Sequence, residues 1–241
     1  MKVRADKLLA NAGLGSRKEI AELMKNGRVQ ADGKLIRIPK TKVEEDAKFL
    51  IDGGEVQTDR YVYYLLNKPI GTISASRDRE KTVIDLIRPE DQRKGLFPCG
   101  RLDKDTSGLL LITNDGRLSH RLLSPRHHVK KVYLAELDQP FDEKDILSFR
   151  EGMILKPEGI LTRPAKLEKL SSSCGRVTIS EGKYHQIKRM FANCGKLVLK
   201  LKRIQFANLT LPEDLSPGDY RPLSQDELEK LKMFAGQEKG N

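Results

Sequence analysis

The segment Gly100-Arg101-Leu102-Asp103-Lys104-Asp105-Thr106-Ser107-Gly108 runs directly into Leu-Leu-Leu-Ile. It sets two acids, two bases and two hydroxyls in a polar loop at the start of a buried-strand pattern. A carboxylate held there by a rigid element can face a cleft, a sound place for a nucleophile or a general base. The plainer alternative is an Asx-turn, with Asp103 or Asp105 bonding its own backbone. Residue types alone do not choose between the two aspartates. The chain has no P-loop, no dinucleotide glycine fingerprint, no HExxH and no Gly-x-Ser-x-Gly elbow. Its histidines, His120, His127, His128 and His185, make no metal set, and His127-His128 would point to opposite sides of a strand. With six Tyr, seven Phe and no Trp, a stacking platform for single-stranded RNA has little support.

A second stretch is marked by charge. Between Lys183 and Arg203 stand Lys183, Lys188, Arg189, Lys196, Lys200, Lys202 and Arg203, with no acid among them. A helix from about His185 to Cys194 would put Ile187, Met190, Phe191 and Cys194 on its core face. Lys188 then falls on the border of that face and Arg189 points away, where it could meet phosphate. Solvated helix surface is the ordinary fate of such residues. Seven like charges without a compensating acid, however, repel one another unless an anion binds. A strip facing RNA is the expectation.

These side chains need elements to position them. Leu8, Leu9 and Ala12 recur at helical spacing, and Gly13 and Gly15 stop that helix. Ser16, with Glu19 three residues on, predicts a capping box for a second helix carrying Ile20, Leu23 and Met24. Strand-like pieces follow at 28–31 and 34–38, around an Asp32-Gly33 turn. Residues 1–57 are expected to form a separate unit, with Asp52-Gly53-Gly54 as its linker. The larger unit, 58–235, opens with a strand over 61–66 and continues with a buried strand over 108–113. An Asn114-Asp115-Gly116 turn comes next, then a helix over 117–123. Strands over 129–137 and 196–206 and a terminal helix over 224–234 complete it. Residues 236–241 are expected to fray.

Composition narrows the class. Lys and Arg number 45 against 34 Asp and Glu, a net charge of +11, which favours a polyanionic partner, most often nucleic acid. Cys99, Cys174 and Cys194 are too widely spaced for a zinc site or a disulfide framework. The opening MKVRADKLLANAGLG is a poor signal peptide, and apolar runs such as Leu109–Ile112 are too short to span a bilayer. A cytoplasmic protein with no membrane attachment is expected.

The loop at 100–110, Gly-Arg-Leu-Asp followed by Thr-Ser-Gly-Leu-Leu, resembles the signature of the pseudouridine synthases of the ribosomal small-subunit (RsuA) branch. Glu181-Gly182-Lys183-Tyr184-His185-Gln186-Ile187-Lys188-Arg189-Met190 and Lys130-Lys131-Val132-Tyr133 are similar to two further motifs of that family. The N-terminal unit resembles the small RNA-binding domain named after ribosomal protein S-four, through Arg4, Asp6-Lys7, Gly15-Ser16-Arg17, Gly27-Arg28-Val29 and Asp32-Gly33. The fold so implied is α+β. A small αL-type RNA-binding domain would be joined to a catalytic domain with a mixed, largely antiparallel sheet and a central cleft.

The resemblance assigns roles. Asp103 would be the catalytic carboxylate, Tyr133 would pack on the target uracil and take the proton from carbon 5, and Lys188 would pair with Asp103. Related branches carry arginine at that last position, so their bidentate geometry does not transfer. Arg101 would fill the gap left by the flipped uridine, and Leu201 would form the apolar wall under the base. Arg4, Arg17, Lys18, Lys25, Lys183, Arg189, Lys200 and Lys202 are the expected RNA contacts. The reaction needs no cofactor and no metal, because nothing is oxidised and nothing leaves. The partner implied is 16S ribosomal RNA or a small-subunit assembly intermediate, bound by a monomer. Large-subunit branches tend to show Asn-Arg-Gln-(Ile/Val)-Arg-Arg where this chain has Tyr184-His185-Gln186-Ile187-Lys188-Arg189. Two rivals remain open: an rRNA-binding assembly factor without catalysis, and an RNA or nucleoside glycosidase.

Overall fold

The structure, a computed structural model, describes residues 2–44, 47–56, 58 and 61–236. Gln57, the expected end of the first unit, and 237–241 of the expected frayed tail lie outside these residues. By spatial clustering the chain divides into two units, Met1–Val62 with Arg88–Leu96, and Tyr63–Ile87 with Phe97–Asn241. No helix among the described residues is long and apolar enough to cross a membrane.

In the first unit β1 (Lys2–Arg4) leads into α1 (Ala5–Asn11), and α2 (Arg17–Lys25) follows the glycine break. The capping box of α2 is present. Ser16 Oγ accepts from the Glu19 N–H, and the Glu19 carboxylate accepts from the Ser16 N–H at 2.7 Å. Five short strands complete the unit: β2 (Val29–Ala31), β3 (Lys34–Leu35), β4 (Lys42–Glu44), β5 (Phe49–Ile51) and β6 (Gly54–Val56). Four of them form an antiparallel sheet in the order β3-β2-β5-β6, while β4 pairs with β1. Leu8, Leu9, Ile20, Met24, Val29 and Phe49 make its core.

The linker expected at Asp52-Gly53-Gly54 is instead the turn of the β5–β6 hairpin. Asp52 and Gly53 adopt left-handed φ values of 53° and 81°, as a two-residue hairpin turn requires, and Arg28 Nε holds the Asp52 carboxylate at 2.6 Å. A Gly-rich tripeptide signals a reversal of the chain, and only its pairing partner tells a hairpin from a hinge.

The second unit is built on β7 (Tyr63–Lys68), β8 (Phe97–Cys99), β9 (Thr106–Thr113), α3 (Gly116–Leu123), β10 (Lys131–Leu137) and α4 (Glu143–Glu151). It continues through β11 (Ile154–Leu155), β12 (Ile160–Leu161), β13 (Lys166–Lys169), β14 (Cys174–Ile179), α5 (Gln186–Asn193), β15 (Val198–Phe206), β16 (Leu209–Thr210), β17 (Tyr220–Pro222) and α6 (Gln225–Gly236). The main sheet runs β13-β14-β10-β15-β9-β7-β17, with β8 joining β9 and β16 joining β15. Its pairings are antiparallel except β15 with β9, where Leu201 lies beside Thr106 and Arg203 beside Gly108. The sheet is therefore mixed and largely antiparallel. His127-His128 do not alternate on a strand: they close a short 3-10 turn, with His128 left-handed.

Leu109, Leu110, Leu111 and Ile112 are fully buried, as expected of a central strand covered on both faces. Each such side chain contributes about 1.5–3 kcal/mol by leaving water, so β9 makes a stiff base for the loop at its N-terminal end. Asp115 caps α3 through the N–H groups of Arg117 and Leu118 and is itself held by the Tyr63 hydroxyl at 2.8 Å. Gly108, in β9, has φ +102°, and a methyl group there would lie 2.2 Å from the Arg203 carbonyl oxygen. Gly108→Ala is therefore expected to cost about 3 kcal/mol or more, from backbone strain and overpacking together. Urea denaturation checks this, and a midpoint equal to that of the parent protein would contradict the close approach.

Candidate active site

The loop 101–105 is clamped before and after Asp103. Ser74 Oγ donates to the Leu102 carbonyl at 2.8 Å and accepts from the Leu102 N–H at 3.0 Å. The Gly71 N–H donates to the Lys104 carbonyl at 2.8 Å. Lys68, at the end of β7, is fully buried, and its Nζ donates to the carbonyls of Pro69 (3.1 Å), Asp103 (3.0 Å) and Thr106 (2.9 Å). Burial pulls the pKa of Lys68 down to about 8, while the charges of Asp103 and Asp105 act to hold it up. The segment 68–74 thus fixes the loop through its backbone and leaves the Asp103 carboxylate free for other work.

That carboxylate meets α5. Phe191 of α5 packs on Phe149 and Phe141, with ring centroids 4.7 and 6.5 Å apart, and Met190 is buried beside it. The anchored helix presents Lys188 to the loop. Its Nζ donates to Asp103 Oδ2 at 3.1 Å and to Asp105 Oδ1 at 2.5 Å. Partial burial opposes the Lys188 charge, but the hydrogen bonds to Asp105 and Asp103 outweigh it and raise its pKa. The same hydrogen bond holds the Asp105 carboxyl below the usual range. His185 Nε2 lies 3.6 Å from Asp103 Oδ1.

Asp103 lines a cavity of about 280 Å³ together with Arg101, Tyr133, Lys183 and Leu201, whereas Asp105 does not line it and is largely exposed. The bulge in β15 opposite Val132 and Tyr133 brings Arg203 into register with Tyr133. Tyr133 and Leu201 come from neighbouring strands, Asp103 from the loop before β9, and Lys188 from the helix before β15. The arrangement sets a carboxylate with a paired cation against an aromatic and an aliphatic wall. It suits attack on, or charge stabilisation of, a sugar carbon beside a flat base.

The model of the RNA pseudouridylate synthase family matches residues 62–193, more than half of the chain. The chain belongs to that family. A model of the S4 domain matches residues 3–49. Among similar proteins, an uncharacterised RNA pseudouridine synthase of Bacillus subtilis, YtzG, is 44% identical over 95% of this chain and 98% of its own. Ribosomal small subunit pseudouridine synthase A of Escherichia coli K12 is 39% identical over 94% of this chain and 98% of its own. A crystal structure of a pseudouridylate synthase superposes with a TM-score of 0.67 at 38% identity, covering 95% of this chain and 99% of that one.

Within this synthase fold the basic strip differs from its sequence pattern. Arg203 is 1% exposed, with Nε donating to the Leu109 carbonyl at 2.8 Å, so it faces no solvent. Arg189 does not point away into water. It bonds the Lys156 carbonyl at 2.6 Å and pairs with Glu158. Lys183, Lys196 and Lys200 pair with Glu181, Asp145 and Glu136 at 3.1, 2.9 and 3.0 Å. Glu181 stands just before the basic run, whereas Glu136, Asp145 and Glu158 come from distant parts of the chain, which a window of 21 residues cannot contain. In the first unit Arg4 and Arg17 converge on the buried Asp6 at 2.7 and 2.9 Å, and Lys18 and Lys25 are exposed.

Lys68 and Ser74 at this site, and the stacking of Tyr184 on His185, were not legible in the sequence. Lys68 and Ser74 read as an ordinary strand end and loop, and only a lysine closing an otherwise apolar strand hinted at burial. Tyr184 and His185 stack at 3.8 Å between ring centroids at the cavity, with Tyr184 69% exposed. An aromatic surface for a base is thus present without tryptophan.

Proposed function

We propose that the protein isomerises one uridine of 16S ribosomal RNA to pseudouridine in the cytoplasm. The single observation that carries this is the Asp103 carboxylate, paired with Lys188 and opening with Tyr133 onto a base-sized cavity. The relatives named for the small ribosomal subunit support that target. The uridine is swung out of its stack, which costs a few kcal/mol and favours unpaired targets, and Arg101 takes its place. Asp103 attacks or stabilises the position from which the bond between ribose C1′ and uracil N1 breaks. The base turns against Leu201 and Tyr133, and a bond forms between C1′ and C5. The C5 proton leaves by way of Tyr133, N1, which carries none in uridine, gains one, and atoms and electrons balance within the substrate. Lys188 is the counter-ion of Asp103 throughout. The S4 domain, through Arg4, Arg17, Lys18 and Lys25, adds affinity for RNA that salt weakens.

Chemical mapping of pseudouridine in rRNA from a strain lacking the protein tests this. Loss of one site in 16S rRNA is the expected result. Loss of a 23S site instead moves the target to the large subunit, and an unchanged map replaces the enzyme with an RNA-binding assembly factor.

A further inference from the structure

A second cavity of about 230 Å³ opens beside the first. Leu123, Lys131, Gly182 and Lys183 line both, so the two share one rim. The residues that line the second cavity alone are the apolar Leu122, Pro125 and Val129, with Ser124, Ser180 and Glu181. Lys131 stands on the shared rim. Its Nζ donates to the Val129 carbonyl at 3.2 Å, which uses one of three ammonium donors, and the other two have no partner among the described residues. The nearby cation Lys183 is already paired with Glu181 at 3.1 Å. Glu181 in turn accepts from the Arg163 N–H and from Gln186 Nε2, both at 2.8 Å.

We propose that this second cavity holds the nucleotide adjoining the target uridine on the same RNA strand, with Lys131 gripping the phosphodiester between them. The proposal rests on the first cavity being the uridine site. A half-buried ammonium with spare donors is costly by itself and is relieved by an anion. Burial, with the Arg203 charge next, pulls the pKa of Lys131 down to about 8 against the opposite pull of Cys99 and Glu181, the mark of an under-compensated cation. A flat base fits an apolar wall without being read by hydrogen bonds, whereas a phosphate fixes register. The enzyme would then take hold of a two-nucleotide step rather than a lone flipped base.

The test uses the full-length protein and a short RNA with one central uridine, together with versions lacking the base on its 5′ or its 3′ side. Binding is read by fluorescence anisotropy, and pseudouridine formation is read separately. One abasic version, and only one, is expected to bind about tenfold more weakly, the scale of a lost base contact. Ser180→Phe fills the second cavity alone. It should weaken binding of the intact RNA by a similar factor and add no loss for the abasic one. Lys131→Met should lower the salt slope of binding by about 0.7, one phosphate contact on a single strand. Equal binding of all three RNAs by the parent protein overturns the proposal, as does a Ser180→Phe loss that adds fully to the abasic loss. Normal pseudouridine formation without a flank effect sinks this inference alone. A flank effect without pseudouridine keeps the two-nucleotide site and sinks the proposed activity.

Discussion

Asp103→Asn is expected to abolish pseudouridine formation, lowering the rate on the order of 10⁴-fold or more, as removal of a covalent or charge-stabilising group does elsewhere. The amide keeps the size of the side chain and its place in the cavity but loses the negative charge on which attack or sugar stabilisation depends. Lys188 retains Asp105, 2.5 Å away, so no cation is stranded. The Asp103 side chain is 31% exposed, and an ion pair at such a site is worth at most about 1 kcal/mol. Thermal melting and RNA affinity should therefore stay close to those of the parent protein while product disappears. Single-turnover assays with chemical detection of pseudouridine decide it, and product at a parental rate would remove Asp103 from the mechanism.

The second large effect concerns a residue that touches no substrate. Lys68→Met keeps the length and apolar stem of the side chain but deletes the ammonium that donates to the carbonyls of Pro69, Asp103 and Thr106, the first two of which also accept from Thr72 Oγ1 and the Thr106 N–H. Losing these charge-assisted bonds, offset in part by relief of a buried ammonium, is expected to cost about 3 kcal/mol, a fall in melting temperature of roughly 10 °C for a chain of this size. Asp103 and Thr106 would also lose their common anchor. Displacing a catalytic group by about 1 Å costs on the order of a hundredfold in rate. Assays well below the lowered melting point should show kcat reduced at nearly unchanged KM, because the base cavity itself is intact. A variant that melts and turns over like the parent would show that Ser74 and Gly71 hold the loop without Lys68.

The contrast between these two residues shows what a linear reading can reach. Asp103 sits in a dense motif of acids, bases and hydroxyls ahead of a buried run, and such local density is visible in one dimension. The motif narrowed the carboxylate to two, and resemblance to a family chose between them. In space the choice has a geometric basis, because Asp103 lines the cavity and Asp105 stands outside it, although Lys188 binds both. The capping box at Ser16 and Glu19 was equally legible, being a contact between residues three apart.

Charge showed the limit. The run from Lys183 to Arg203 looked unopposed because its acids, Glu136, Asp145 and Glu158, lie well before it in the chain. Arg203 looked like one more surface cation. A bulge in β15 and the close approach of Gly108 turned it into a buried one. The hinge expected at Asp52 failed for the same reason, since whether a turn joins two domains or two strands depends on pairing across it.

By itself, then, the amino-acid order determined the short-range features of this protein. Those are the capped helices, the apolar run of β9, the excess of positive charge and the acidic loop with its hydroxyls. They follow from side-chain chemistry acting over one to four residues, so no partner from elsewhere is needed to define them. The tertiary structure alone decided which of those groups meet. The parallel pairing of β15 with β9 and the packing of α5 bring residues 103, 133 and 201 to one cavity, with Lys188 bonded to the Asp103 carboxylate and Lys68 to its carbonyl. Such meetings depend on the closure of long loops against a shared core, a property of the whole chain that no segment carries.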